Sequence, residues 1–147
     1  MSSKYKKILV ALDGSKEADR AFNKAVTIAK ENNAEMLLAH VIDTRTFATV
    51  EAYDRTIVQR ADKFATELLE KYQKTAKDAG VESVNYIIEY GSPKVKIPKD
   101  IAKENDIDLI VCGATGMNAV ERLLIGSVSE HIARYAKCDV LIVRNEE

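Results

Sequence analysis

Ile8-Leu9-Val10-Ala11-Leu12-Asp13-Gly14-Ser15 is the stretch on which the fold turns. Its five consecutive apolar residues leave no polar face for water, so they read as a strand covered on both sides. Asp-Gly-Ser then closes the strand with turn chemistry. From Ser15 to about Glu31 the apolar positions become Ala18, Ala21, Phe22, Ala25, Val26 and Ala29, the spacing of a helix with one inward face. Asn32-Asn33 stops that helix, because asparagine tolerates left-handed backbone geometry.

The same alternation continues outward along the chain. Ala34 to Ile42 reads as a second strand, and Asp43 to Tyr53 has no clean period and reads as a long loop. Asp54 to Ala79 carries one apolar stripe, including Ile57, Ala61, Phe64, Leu68 and Tyr72, and Gly80 ends it. Val84 to Tyr90 is a third strand closed by Gly91. Ser92-Pro93 has the form of an N-cap followed by proline at the first helical position. Pro98 should kink that helix or delay its start, the helix then running to Asn105, because proline removes a backbone donor and clashes with the preceding turn. Ile107 to Cys112 is a fourth strand, Ser127 to about Lys137 a helix, and Val140 to Val143 a last strand. Strand and helix thus alternate throughout. The fold class is α/β: one doubly wound, five-stranded parallel sheet with helices on both faces, expected as a single domain over residues 1–147.

Composition agrees with this and excludes several functions. The chain has 147 residues, 46% of them hydrophobic, enough to bury a core. Twenty-two Lys and Arg against 23 Asp and Glu give a net charge of −1, unlike a protein whose affinity for nucleic acid rests on excess positive charge. No apolar run approaches the roughly 18 residues that span a membrane, and Met1 to Lys7 lacks a signal-peptide pattern. The two cysteines, Cys112 and Cys138, lie in apolar surroundings. Cytoplasmic residence is expected.

Open parallel sheets bind ligands at the carboxyl ends of strands, where strand order reverses. The polar and glycine-rich segments past strand ends follow the first strand (Asp13-Gly14-Ser15) and the fourth. After the fourth comes Gly113-Ala114-Thr115-Gly116, and then, past a short apolar stretch, Gly126-Ser127-Val128-Ser129; three of the six glycines fall in this window. Glycine lets a backbone approach a ligand closely, and the helix opened by Gly126-Ser127 offers free N–H groups to an anion. The segment therefore reads either as a phosphate cradle or as tight turns around a short apolar helix containing Val120, Leu123, Leu124 and Ile125.

Glycine, two residues, glycine, nine residues, glycine, serine resembles the ATP-binding signature of the universal stress protein family. The resemblance extends to Ile8 through Ser15, to His40-Val41, to Gly126 through Glu130 and to Val140 through Arg144. It implies strand order three-two-one-four-five, ATP as ligand and Mg2+ or Mn2+ on the phosphates. By position, Ala11, Asp13, Val41, Gly113, Gly116, Gly126, Ser127, Val128 and Ser129 would line the nucleotide site. Asp13 would contact the ribose or a phosphate-bound metal, and the Val41 backbone would meet adenine. Gly113, Gly116 and Gly126 would shape the loop round the triphosphate. Ser127, Ser129 and the Val128 amide would hydrogen-bond phosphate oxygens. The resemblance also implies a homodimer through the apolar strand Val140 to Val143, which in that topology is a sheet edge open to pairing. Two positions depart from the family: Asp139 follows Cys138 where many relatives have proline, and Pro98 interrupts a helix that is usually continuous.

The residues limit the chemistry. Asp-Gly-Ser is also ordinary turn chemistry, and Val41 is also ordinary strand core. No Gly-x-x-x-x-Gly-Lys-Ser/Thr pattern occurs, the only cation between Gly113 and Ser129 is Arg122, and the fourth strand ends in Cys112. Such a site suits binding with slow or absent hydrolysis. Slow ATPase or autophosphorylating activity is the enzymatic alternative; a dimeric interaction module without nucleotide is another. A phosphoacceptor receiver domain fits poorly, since Tyr90-Gly91 and Arg144 stand where an acid and a lysine are needed. His40 and His131 lack metal-ligand spacing and, with both cysteines, are expected to be structural. Lys94, Lys96 and Lys99 are expected on a solvated face that could steer an anion. Gly113→Val or Gly126→Val is expected to weaken nucleotide binding and leave a folded dimer.

Overall fold

The computed structural model describes residues 4–44, 55–114 and 125–144. Its strands are β1 (Lys7–Ala11), β2 (Glu35–Asp43), β3 (Val84–Gly91), β4 (Leu109–Gly113) and β5 (Asp139–Val143). All neighbours pair in parallel, in the order β3-β2-β1-β4-β5, so the order reverses between β1 and β4 as the resemblance implied. The helices are α1 (Lys16–Asn32), α2 (Arg55–Ala79), α3 (Pro93–Val95), α4 (Ala102–Glu104) and α5 (Ser127–Tyr135), with a π-helical segment at Lys96–Ile101 between α3 and α4.

Alternation along β1 sends its side chains into two cores. Ile8 and Val10 join Phe22, Ala25, Leu69 and Ala76 beneath α1 and α2. Leu9 joins Ile97, Ile101, Ile110 and Ile132 beneath the π-helical segment and α5. Ile8, Leu9 and Val10 are each 0% exposed, the burial expected of a central strand with helices on both faces.

Local chemistry sets the boundaries. Ser15 caps α1 by accepting the Ala18 N–H at 3.1 Å, and Asn33 ends the helix in left-handed geometry at φ 53°. Pro98 does not delay the start: α3 begins at Pro93, and Pro98 sits within the π-helical segment. There the hydrogen bonds reach one residue further back (Ala102 N–H to Ile97 C=O), a wider turn that leaves room for the proline ring. β4 starts two residues later than its apolar run suggests. Asp106 turns the chain at φ 53°, and the Asp108 carboxylate accepts the N–H groups of Lys6 and Lys7 at 2.9 and 3.2 Å. Asp108 thus ties the chain ahead of β4 to the start of β1.

A crevice at the strand-order reversal

The turn after β1 is built by side chains. Asp13 is exposed, and its Oδ1 accepts the Ser15 N–H at 3.0 Å and the Ser15 hydroxyl at 2.6 Å. Ser15 Oγ in turn accepts from Ala18, so one short chain of hydrogen bonds fixes the loop and the first turn of α1. Gly14 supplies the left-handed residue the turn needs, at φ 87°. Asp13 is therefore an exposed turn former that engages Ser15 through one carboxylate oxygen, Oδ1. Ala11 is half-buried and is the last residue of β1 in register with β2, opposite Ala39.

Beyond that register the two strands part. The Leu12 N–H still reaches the Ala39 carbonyl at 2.9 Å, which shows that Ala39 directs its backbone groups toward β1. In a parallel ladder those directions alternate, so Val41 directs its N–H and C=O the same way. Among the described residues neither group meets a partner there. The Leu12 carbonyl, which the next rung would use, is contacted at 2.8 Å by His40 Nδ1. Val41 is 7% exposed, so a donor and an acceptor stand open at the crevice on a residue otherwise packed in the core. The His40 ring also lies edge-on to Phe64 of α2, with centroids 6.1 Å apart.

Across the reversal, Ala114 and Gly126 bring together the two sides of the loop after β4. The Ala114 N–H reaches Val143 C=O at 3.0 Å, and the Gly126 N–H reaches Ala114 C=O at 2.6 Å. α5 then begins, and the Glu130 N–H is bonded to Gly126 C=O. The amides of Ser127, Val128 and Ser129 precede it and have no carbonyl within the helix, the arrangement that favours an anion. Ser127 is exposed and Val128 half-buried. Ser129 is buried, and its hydroxyl donates to the Gly113 carbonyl, which ties α5 to the end of β4. Gly113 also has a packing reason. A Cβ there would lie 2.8 Å from Glu17 Cβ and 3.0 Å from the Glu17 carbonyl, so glycine lets the first turn of α1 sit against β4. Gly126 has φ −65°, a value open to any residue. Gly116, Arg122 and the short apolar stretch at 120 to 124 lie outside the described residues.

The remaining candidates fall away from the crevice. Cys112 is buried, which pushes its thiol up to about 11, and Cys138 is also raised, chiefly by burial. Both lack the thiolate a nucleophile needs at neutral pH. His131 rides α5 against Tyr135, with ring centroids 4.6 Å apart. Of the lysines expected on a solvated face, Lys96 lies near Glu89 and Asp100, at 3.8 and 3.6 Å, and Lys99 sits over the Tyr135 ring. Among the described residues no cluster of His, Cys, Asp or Glu could hold a metal, and no helix is long and apolar enough to cross a membrane. β5 is the last strand in the order, with Val140 to Val143 half-buried. The Glu17 contact and the His40 contact escape sequence reasoning, because neither leaves a periodic trace. The nearest signal is a polar residue, His40, inside the apolar run of β2.

A doubly wound parallel sheet with an open crevice between its first and fourth strands defines the Rossmann-like class. A more specific assignment follows from comparison. The model of the universal stress protein family matches residues 4–144, and the chain belongs to that family. A putative universal stress protein of Staphylococcus haemolyticus is 52% identical over 143 residues, covering 97% of this chain and 87% of that protein. Among solved structures, universal stress protein UspA from Lactobacillus plantarum superposes with a TM-score of 0.86 at 33% identity, covering 97% of this chain and 100% of that one. A universal stress protein in complex with cAMP superposes with a TM-score of 0.72 at 30% identity, covering 97% and 98% of the two chains.

Proposed function

We propose that this universal stress protein binds ATP in the crevice between the loops after β1 and β4. The observation that carries the reading is the pairing of two open backbone sites across the strand-order reversal. Val41 presents an N–H and a C=O side by side, a donor and acceptor suited to the edge of adenine. The first amides of α5 and the exposed Ser127 face the same reversal from β4 and suit phosphate. The relative solved with cAMP supports an adenine nucleotide as the ligand class. Asp13 Oδ2 is the group to meet the ribose or an Mg2+ or Mn2+ ion on the phosphates. Ala11, Gly113 and Gly126 form the floor and loop edges, and Gly116 is assigned by the family resemblance alone. Ser129 acts through Gly113, holding the loop instead of reaching the phosphate.

With no lysine on the described floor and one Asp13 oxygen already engaged by Ser15, the reading is binding with slow or absent hydrolysis. The protein acts as a cytoplasmic homodimer in stress response or signalling, paired through Val140 to Val143, whose outer edge is the last of the sheet. The test is to denature freshly purified protein, identify released nucleotide by chromatography, and titrate the refolded or stripped protein with ATP and magnesium. Retained adenine nucleotide and saturable ATP affinity are expected. No retained nucleotide together with no measurable ATP affinity overturns the reading, and fast turnover lost in Asp13→Ala replaces it with an enzyme.

A further inference from the structure

We propose that His40 is a positioning residue that keeps the Val41 backbone open and so sets the base selectivity of the crevice; this rests on the nucleotide-binding reading above. The β1–β2 ladder ends one rung short of where its geometry permits. After Leu12 N–H to Ala39 C=O, the next rung of a parallel ladder is Val41 N–H to Leu12 C=O. That bond is not made, and the His40 ring holds the acceptor it would use, with Nδ1 at 2.8 Å from the Leu12 oxygen. A carbonyl only accepts, so Nδ1 carries the proton in this contact. Phe64 of α2 lies edge-on to the same ring.

His40 thus replaces a backbone bond with a side-chain bond from the adjacent residue. The Leu12 oxygen is satisfied, and the Val41 N–H has no partner among the described residues although Val41 is 7% exposed. An open N–H beside an open C=O matches adenine, which offers an acceptor nitrogen next to an amino donor. Guanine and hypoxanthine present a carbonyl and a ring N–H in the reverse order. Remove the imidazole donor, and Leu12 C=O becomes free to take the Val41 N–H. The ladder gains a rung and the base edge loses its donor.

The test compares the wild type with His40→Leu and His40→Ala, which lack a donor, and with His40→Asn, whose amide nitrogen can stand near the Nδ1 position. Two readouts are taken. Amide exchange at Val41, followed by nuclear magnetic resonance without nucleotide, should be rapid in the wild type and the asparagine variant and slowed at least roughly tenfold in the other two, because a hydrogen-bonded amide is protected. The ratio of ATP to ITP affinity should fall roughly tenfold or more in the leucine and alanine variants, the scale of one lost hydrogen bond to a buried group. Asparagine should restore it. Affinity for inorganic tripolyphosphate should stay at its wild-type value in all four proteins. If the leucine variant does not fold, the alanine variant carries the comparison at this half-buried position. Unchanged Val41 exchange in the donor-less variants, or unchanged ATP-to-ITP ratio, overturns the proposal; so does an asparagine variant that behaves like leucine. A wild type without affinity for either nucleotide overturns the nucleotide reading instead, while the exchange experiment still decides the role of His40.

Discussion

The loops after β1 and β4 both carry glycine and serine, but they use them differently. After β1, Gly14 is needed for its backbone angle, φ 87°, and Ser15 caps the helix that follows. After β4, Gly113 is needed for the absence of a Cβ, because Glu17 lies where that atom would be. Ser129 does not cap α5 through its side chain; it reaches back to the Gly113 carbonyl. One loop is shaped by its own hydrogen bonds, the other by a helix packed against it from elsewhere in the chain. The same residue types therefore answer to local geometry in one loop and to tertiary contact in the other.

That difference can be broken most severely at Gly113. Valine there puts its Cβ 2.8 Å from Glu17 Cβ and 3.0 Å from the Glu17 carbonyl oxygen, so α1 has to shift against β4. Overpacking of this kind costs about 3 kcal/mol, so Gly113→Val should lower the denaturation midpoint markedly. The Glu17 contact adds a predicted loss of stability to the weakened nucleotide binding expected of this substitution. Chemical denaturation of the ligand-free protein is the measurement; a midpoint within error of wild type would show that the Glu17 contact is not limiting. Ser129→Ala comes next. It strips the donor from the Gly113 carbonyl beside a buried side chain, at a cost of about 1.5 kcal/mol in the same assay. Gly14→Ala should cost about 1 kcal/mol, from the backbone angle alone. The new Cβ would stand 3.4 Å from the Phe64 ring, near ordinary contact. A Gly14→Ala cost equal to that of Gly113→Val would erase the distinction between the two loops.

The elements were legible because their signals are local. The unbroken run at Ile8 to Leu12, the stripe from Ala18 to Ala29 and the Asn33 stop each act within a few residues, and the structure reproduces them to within a residue. Strand order came only with the family resemblance, since parallel strands can be ordered in several ways without changing their periodicity. Within the site, Asp13 and Ser15 were readable as turn chemistry because their partners are two and three residues away. Gly113, Ser129 and His40 were not, because each is explained by a residue 16 or more positions distant (Ser129 to Gly113) or 28 (His40 to Leu12), or by Glu17 on another element. The π-helical segment around Pro98 was half readable. Proline forbids the ordinary bond, but whether the helix kinks, restarts or widens depends on Ile97 and Ile101 being held in the second core.

Gly126 gives the smallest expected change in stability and the sharpest division between the two uses of glycine. Its φ of −65° requires no glycine, and as the N-cap of α5 it offers no side chain to the helix. Serine is at least as good an N-cap, so Gly126→Ser should leave the ligand-free protein within about 0.5 kcal/mol of wild type. Neither backbone angle nor capping then accounts for glycine at this position, which leaves close approach of the phosphates to the α5 amides and side-chain packing as the physical reasons to separate. The substitution should consequently lower ATP affinity by roughly tenfold, about 1.4 kcal/mol, without lowering the denaturation midpoint. Calorimetric titration beside chemical denaturation separates the two quantities. If both stay at their wild-type values, the phosphates do not pass over Gly126, and the cradle assignment at the start of α5 is wrong. If stability falls with affinity, Gly126 belongs with Gly113 as a glycine fixed by packing.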